Sequence, residues 1–588
     1  MEQRKERKKE QKVYAAFGRG ARRDWKRAAR KTVFSHYWMA IMVCLVAAFL
    51  GTEFTGSLES LHFTRQKWDV ISNFLASFGR PGAEANSRGV FAIAVNKIAD
   101  GSLHNIVNNT IMSLAGSSEF WQSFGIVVSS LVSMTYWVLV THTFVVILRR
   151  LFMEMRVYEE VPPYRALYLH SARCWGRTSL ALLRVAIQRG LWWLTIIGGA
   201  IKTFSYYLCG FILAENPTMK GGDAIALSRK MMNGHKWECF LMELSFVPWH
   251  LLSLATFGLS SLFYSSAYLS AARCEFYAAV RAQVKAEGEA QALRDTYLFE
   301  KASAKTLRRA YNDLGKPAEK LPERVYGNKV TRFFGECLGV TLFVNPQDVA
   351  REKIQDREYR LRYMRRCEQG LSYPIRLSPL LQYEHKDHEP ALFTRKYPVT
   401  TLVLLFFLFS IIGWCWEVML HLLSDGTFVN RGVLHGPWLP IYGTGGVLVL
   451  LTLYKLRDKP WLEFWATVVV CGVVEYFTAY YLETVYDRRW WDYAGYFLNL
   501  HGRICAEGLL VFGLGGMAIV YGVAPLFDNL LHKVRRSVLI GLCAALIALF
   551  CVDQAYSHFY PNEGEGITDE VVYKTDDARI RLDEEAFV

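Results

Sequence analysis

The chain has 588 residues, of which 52% are hydrophobic and 21% charged, and its formal net charge is +14. Soluble domains average fewer apolar and more charged residues, so the composition points away from a soluble globular protein. Lysine and arginine flank apolar runs instead of forming one basic face, which argues against a nucleic-acid partner and assigns the charge to topology and anionic lipid headgroups.

Residues 1–31 (MEQRKERKKEQKVYAAFGRGARRDWKRAARK) are polar and strongly basic. They are too long for the first region of a signal peptide and read as a cytoplasmic arm lying against anionic headgroups. A helical span takes about 20 largely apolar residues. The first runs over residues 37–51 and is followed by an external loop, 52–119, rich in Gly, Ser and Asn. The second covers 120–147, and Arg149 and Arg150 place its end in the cytoplasm. The apolar stretch 178–214 is broken at Gly198-Gly199 and reads as two passes, because Lys220, Arg229, Lys230 and Lys236 then return to the inside. A similar unit, 237–280, breaks near Gly258. These make a multi-span domain over 32–285.

Residues 286–395 are dense in charges of both signs and read as a cytoplasmic helical linker. A second block, 396–558, offers five spans at 398–420, 438–455, 462–482, 504–524 and 537–556. Lys455, Arg457 and Lys459 mark one inner turn, and Lys533, Arg535 and Arg536 another. The acidic tail 559–588 would then lie outside. The expected fold is an all-α polytopic transmembrane protein of about 11 spans, six plus five, with a cytoplasmic N-terminus and an external C-terminus.

The twelve cysteines stand singly, with no CxxC and no Cys/His spacing, so neither a metal site nor a disulfide framework is expected. No GxxxxGK[ST] loop occurs, so coupling to ATP would need a separate ATP-binding subunit. No HExxH, DxD or recognisable Ser/His/Asp order is present, and neither an enzyme activity nor a cofactor is expected.

Polar groups gather in the second block. They are Glu417 in GWCWE, Asn430 and Arg431 in NRGVLHGP, Glu475, Tyr476 and Glu483 in an apolar run, Asp492 after two tryptophans, and Arg503 with Glu507 four residues on. A carboxylate in hydrocarbon is costly unless it is paired, protonated or hydrated, and Glu475 lies mid-span. Arg431 and Arg503 are the nearby fixed cations, and Arg503 and Glu507 have the spacing of one helix face. The cluster reads as a buried network locking spans together, as a substrate or ion pathway, or as a catalytic pair of carboxylates. In the first block, Gly198-Gly199, Lys202, Glu215-Asn216-Pro217 and Asp223–Met232 read as packing and as an interfacial helix.

The series GWCWE, NRGVLHGPWLPIYGTG, EYFTAYYLE and WWDYAGYFLNLHGRIC resembles the ABC-transporter permease family of the CmpB type, over residues 395–560. IIGGAIKTFSYYLCGFILAENP, AIALSRKMMNGHKWECF and the run ending EFYAAV resemble a family of uncharacterised bacterial multi-span membrane proteins, over residues 30–285. The resemblance implies a permease-like component in a bacterial plasma membrane. The alternatives are a non-transporting scaffold or assembly protein, and a membrane enzyme acting on lipid or envelope precursors.

Overall fold

The computed structural model describes residues 17–55, 119–256, 258–286, 293–312, 326–342, 346–379, 395–425, 428–486, 493 and 500–562. The expected external loop lies mostly outside these residues, as does nearly all of the acidic tail. The described residues are overwhelmingly helical; two strands of two residues each, Val340–Thr341 and Tyr397–Pro398, pair in parallel with Val340 opposite Tyr397. The chain divides into two compact units. The first holds described residues 17–55, 119–312 and 355–379, and the second 326–342, 346–354 and 395–562.

In the first unit, helix α1 (Arg19–Ser35) buries Ala21, Trp25, Ala29 and Val33 at four-residue spacing, while Arg19, Arg23, Arg27, Arg30 and Lys31 stay exposed. That pattern is the amphipathicity of a surface helix. At His36 the chain bends by 97° into the apolar α2 (Tyr37–Phe49). Helices α3 (Glu119–Tyr136) and α4 (His142–Val157) run on through a π-helical turn at Trp137–Thr141. α4 is buried on all sides from Val146 to Met155. α5 (Trp175–Trp193) ends at a break where Ile196 adopts φ 46°. There follow α6 (Ile197–Ser205), α7 (Cys209–Glu215), α8 (Gly221–Met231), α9 (Lys236–Leu244), α10 (Val247–Ala255) and the almost wholly buried α11 (Ser266–Ala286). Leu148, Phe152, Phe211, Ile212, Phe276 and Tyr277 lie in its core.

Parts of the expected linker pack into this unit. Tyr158 donates to the Tyr297 carbonyl at 2.7 Å, and Tyr373 is buried against Asp295 at 2.7 Å. Leu307 and Tyr311, at helix α12 (Ala304–Ala310), form a small satellite core with Leu361 and Cys367 of α13 (Pro346–Glu368).

The second unit is built from α14 (Val399–Asp425), α15 (Pro440–Thr452), α16 (Pro460–Tyr486), α17 (Ala506–Ala518), α18 (Ala524–Leu531) and α19 (Arg536–Phe559). α17 and α18 are joined by a π-helical turn, Ile519–Val523. Helices α14 and α15 approach closely at Gly443, where an added Cβ would come within 2.5 Å of the Phe406 carbonyl oxygen.

Six helices of the described residues are long and apolar enough to cross a membrane: Ser123–Val157, Ile197–Glu215, Val399–Val418, Pro460–Val485, Gly508–Leu531 and Arg536–Phe559. The bent pair α1–α2 would make a seventh. The expected count of about 11 is not reproduced, for three local reasons. α5 carries Arg177, Arg184 and Arg189. The stretch 237–280 breaks into two nine-residue helices before α11, which carries Arg273, Glu275 and Arg281. α15 has only 13 residues. The helix expected to end at Arg149-Arg150 instead continues to Val157.

Candidate functional site

The outward-facing residues of α16 are Trp461, Leu462, Trp465, Val469, Val473, Phe477 and Tyr481, all exposed. Its buried face carries Glu463, Thr467 and Glu475, with half-buried Cys471 in the same four-residue series. A helix with its apolar face out and its polar face in suits lipid, where exposed polar groups go unsatisfied. Glu475 is 9% exposed; Tyr493 donates to its Oε1 at 3.1 Å. Its Oε2 has no hydrogen-bond partner among the described residues.

Three further groups complete the cluster. Glu417, on α14, accepts from the Tyr442 hydroxyl of α15 and lies 3.7 Å from the Arg431 guanidinium. Burial, and then the Glu475 carboxylate beside it, push the Tyr493 phenol up, with Cys505 and Glu417 adding to the effect. Tyr442 likewise lies in the fields of Glu417, Tyr493 and Glu475. Two glutamates from different helices therefore face the same pair of tyrosines. The third group holds Arg503, which donates to Glu483 from Nε at 2.8 Å and from Nη2 at 2.7 Å, and to the Tyr476 hydroxyl at 3.0 Å. Arg503 also stacks over Tyr476 and Tyr480.

Arg503 precedes α17; it sits in a turn where His501 and Gly502 take φ 55° and 67° and Leu500 bonds to the Ile504 carbonyl at 2.9 Å. Its observed partner is Glu483 on α16, and it lies outside the helix whose face the 503/507 spacing suggested. The Glu507 side chain and Asp492 lie outside the described residues. Arg431 and Arg503 were the cations expected near Glu475; they form salt bridges with Glu417 and Glu483.

Asn430 accepts from the Trp414 indole at 2.6 Å and donates to the His435 carbonyl at 3.0 Å, holding the loop before α15. That loop is tied down by Asp553 of α19, which accepts from the backbone N–H of His435 (3.2 Å) and Gly436 (3.0 Å) and from the Trp438 indole (2.7 Å). Sequence reading missed Asp553, Glu463 and Asp528, although a carboxylate within an apolar run is the same signal that singled out Glu475. Asp528 is fully buried, with Arg395 at 2.8 Å and the Thr401 hydroxyl at 2.9 Å.

The first unit holds a different arrangement, also missed. Arg150 bonds Glu154 (2.9 Å) and Asp295 (2.8 Å), and Arg165 chelates Glu154 at 2.8 and 2.5 Å. Arg281 chelates Glu215 at 2.8 and 2.5 Å, and Arg156 lies 3.1 Å from Glu275. Arg273 reaches both Glu243 and Glu53, and Arg149 pairs with Glu53. Arg149 and Arg150 are thus internal ion-pair residues and do not mark a helix end. No cluster of three or more His, Cys, Asp or Glu suited to a metal occurs among the described residues.

Residues 404–558 match the family described as "Putative ABC-transporter type IV". Residues 33–284 match the family described as "Protein of unknown function (DUF975)". Each half is thus similar to the family its motifs suggested. No curated protein and no solved structure matches the chain. The apolar helices and the C-terminal match together mark a membrane protein.

Proposed function

We propose that the second unit is the permease-like part of a transport system in a bacterial plasma membrane. Its polar pathway would be lined by Glu417, Arg431, Tyr442, Glu475 and Tyr493. The observation that carries this reading is the inverted polarity of α16, whose carboxylates lie on the buried face of a helix long and apolar enough to cross a membrane. The family description of residues 404–558 supports transport, and the chain has no phosphate loop of its own, so ATP coupling would come from a separate ATP-binding subunit. The basic face of α1, with Phe34 and Trp38 exposed beside its bend, fits an anionic cytoplasmic leaflet and would set the N-terminus inside.

The test is release from proteoliposomes loaded with labelled amino acids, sugars and inorganic ions. At normal insertion, Glu417→Gln and Arg431→Ala should each slow the transported solute. Unchanged flux in both variants would defeat the pathway.

A second reading, a non-transporting scaffold, draws on the Arg503–Glu483 and Arg431–Glu417 pairs, which tie loops to helices as structural locks do. It expects Arg503→Ala to lower stability in detergent while no solute moves in any preparation.

A further inference from the structure

The inward face of α16 repeats a polar residue every fourth position: Glu463, Thr467, Cys471 and Glu475. Steps of four residues drift by only about 40° around a helix, so the four form one shallow spiral rising about 18 Å. That is more than half of a hydrocarbon core of about 30 Å. Both end carboxyls are buried, Glu463 completely, and each has one oxygen, Oε2, without a hydrogen-bond partner among the described residues. Among the described residues neither forms a salt bridge like those of the first unit. The Thr467 hydroxyl donates to Glu463 Oε1 at 3.0 Å, and the Cys471 thiol lies in the fields of both Glu463 and Glu475.

The surroundings are specific. Glu463 faces Arg457 and is in the field of Tyr521. Glu475 faces Tyr493 and Tyr442. On the α17 side the spiral meets glycine: Gly516 lies against Thr467, and Gly513 against Phe464 and Val468. No titratable side chain of α17 is placed against it among the described residues.

We propose that this spiral is a proton path through the second unit, with Glu463 and Glu475 as its two terminal proton carriers. The inference deepens the permease reading by naming a coupling ion, but it needs no solute to be tested. A carboxylate oxygen left unpaired in an apolar interior calls for a proton or a metal cation. A metal cation would need about six oxygen ligands, and each end offers one carboxyl with one hydroxyl donor. A proton needs one oxygen. In each hop one O–H bond (S–H at Cys471) breaks as another forms on the next acceptor, and no electrons are exchanged. Rungs four residues apart are about 6 Å apart along the axis, so one water between successive rungs completes the chain.

The experiment uses the full chain in vesicles enclosing a pH-sensitive dye, with a valinomycin potassium potential, negative inside, and no added solute. Wild-type vesicles should acidify about tenfold faster than empty ones, and Glu463→Gln and Glu475→Gln should each return the rate to the empty-vesicle level. Thr467→Val, which keeps shape and removes the hydroxyl, should slow the rate, and Val469→Ala on the lipid face should leave it unchanged. Infrared spectra of the detergent-solubilised protein add a second readout: a protonated-carboxyl band that each glutamine variant diminishes, whatever its flux. Equal acidification in wild type and both glutamine variants, wild-type acidification no faster than in empty vesicles, or labelled sodium uptake in place of proton entry would overturn the proposal. Solute flux without proton entry would leave the permease reading standing alone; proton entry without solute flux in any loaded vesicle would do the reverse.

Discussion

Replacing Arg281 tests whether the first unit's ion pairs hold its fold. Arg281 and Glu215 are 4% and 0% exposed as side chains, and the guanidinium chelates the carboxylate at 2.8 and 2.5 Å. In Arg281→Met the stem is kept, but among the described residues Glu215 retains only the Tyr277 hydroxyl at 2.9 Å. Breaking a buried pair from one side costs about 3–5 kcal/mol, because the remaining charge is uncompensated. At about 1.4 kcal/mol per factor of ten, that is a roughly hundred- to several-thousand-fold rise in the opened population. The double variant Glu215→Gln/Arg281→Met removes both charges and should recover most of the loss. The assay is heat-dependent labelling by a thiol dye, since Cys44, Cys209, Cys239 and Cys274 are buried in the same unit. The exposed Cys415 and Cys551 are first changed to serine in every sample. A loss below about 1 kcal/mol in the single variant, or a double variant no more stable than the single, would refute the reasoning.

Three further outcomes are expected. Burial pushes the Cys367 thiol from 9.0 up to about 12, so its packing contribution is fully present below pH 9 and is lost as pH rises toward 12; Cys367→Ala should flatten the alkaline limb of the unfolding curve. Gly443→Ala should destabilise by roughly 1–3 kcal/mol, because the Phe406 carbonyl oxygen cannot step aside, whereas Gly445→Ala, with open space around it, should be neutral in the same melting assay. Asp553→Ala strands two backbone N–H groups and the Trp438 indole; it should cost roughly 1–3 kcal/mol and shift Trp438 fluorescence, and an unchanged spectrum would show that the loop is held by other contacts.

Hydropathy made α14, α16 and α19 legible, because each runs for about 20 residues with few fixed charges. In the first unit it found Ser123–Val157 and Ile197–Glu215 but misplaced a helix end and overcounted spans, for a reason visible in α4 and α11. Their charges lie inside the fold, paired with partners as far away in sequence as Asp295 from Arg150 or Glu215 from Arg281. No local window joins residues 145 or 66 positions apart. The same blindness made Arg149-Arg150 look like a membrane boundary.

At the candidate site the residue types were legible and the pairing was not. Glu417, Glu475 and Arg431 stood out because a bilayer makes them expensive. Their partners depend on turns set by Gly432 and by His501-Gly502, whose left-handed backbone aims the loops. A four-residue spacing suggested Arg503 with Glu507, but the turn ends before the helix begins and delivers Arg503 to Glu483. Tyr493 gave no signal beyond belonging to an aromatic loop, yet it faces both glutamates.

Glu463 and Glu475 of the second unit are buried differently from the carboxylates of the first, and the difference has consequences. In the first, Glu154, Glu215, Glu275 and Asp295 each meet a guanidinium within 3.1 Å. A carboxylate that meets a guanidinium inside the fold acts as a structural lock, costly to break from one side. In the second, Asp528 is paired with Arg395 in the same way, but Glu463 and Glu475 accept from hydroxyls and form no salt bridge among the described residues, so on the proton-path proposal their charge can follow a proton. Supplying Glu475 with a cation should convert one type into the other. Cys471→Lys places an ammonium four residues before it on the same inward face, within reach for pairing. The expected result is a folded protein whose thermal stability is kept or raised and whose proton entry is abolished. Proton entry at the wild-type rate, with the lysine shown by mass spectrometry to be present, would mean that Glu475 does not need to change its charge, and the distinction drawn between the two units would lose its functional meaning.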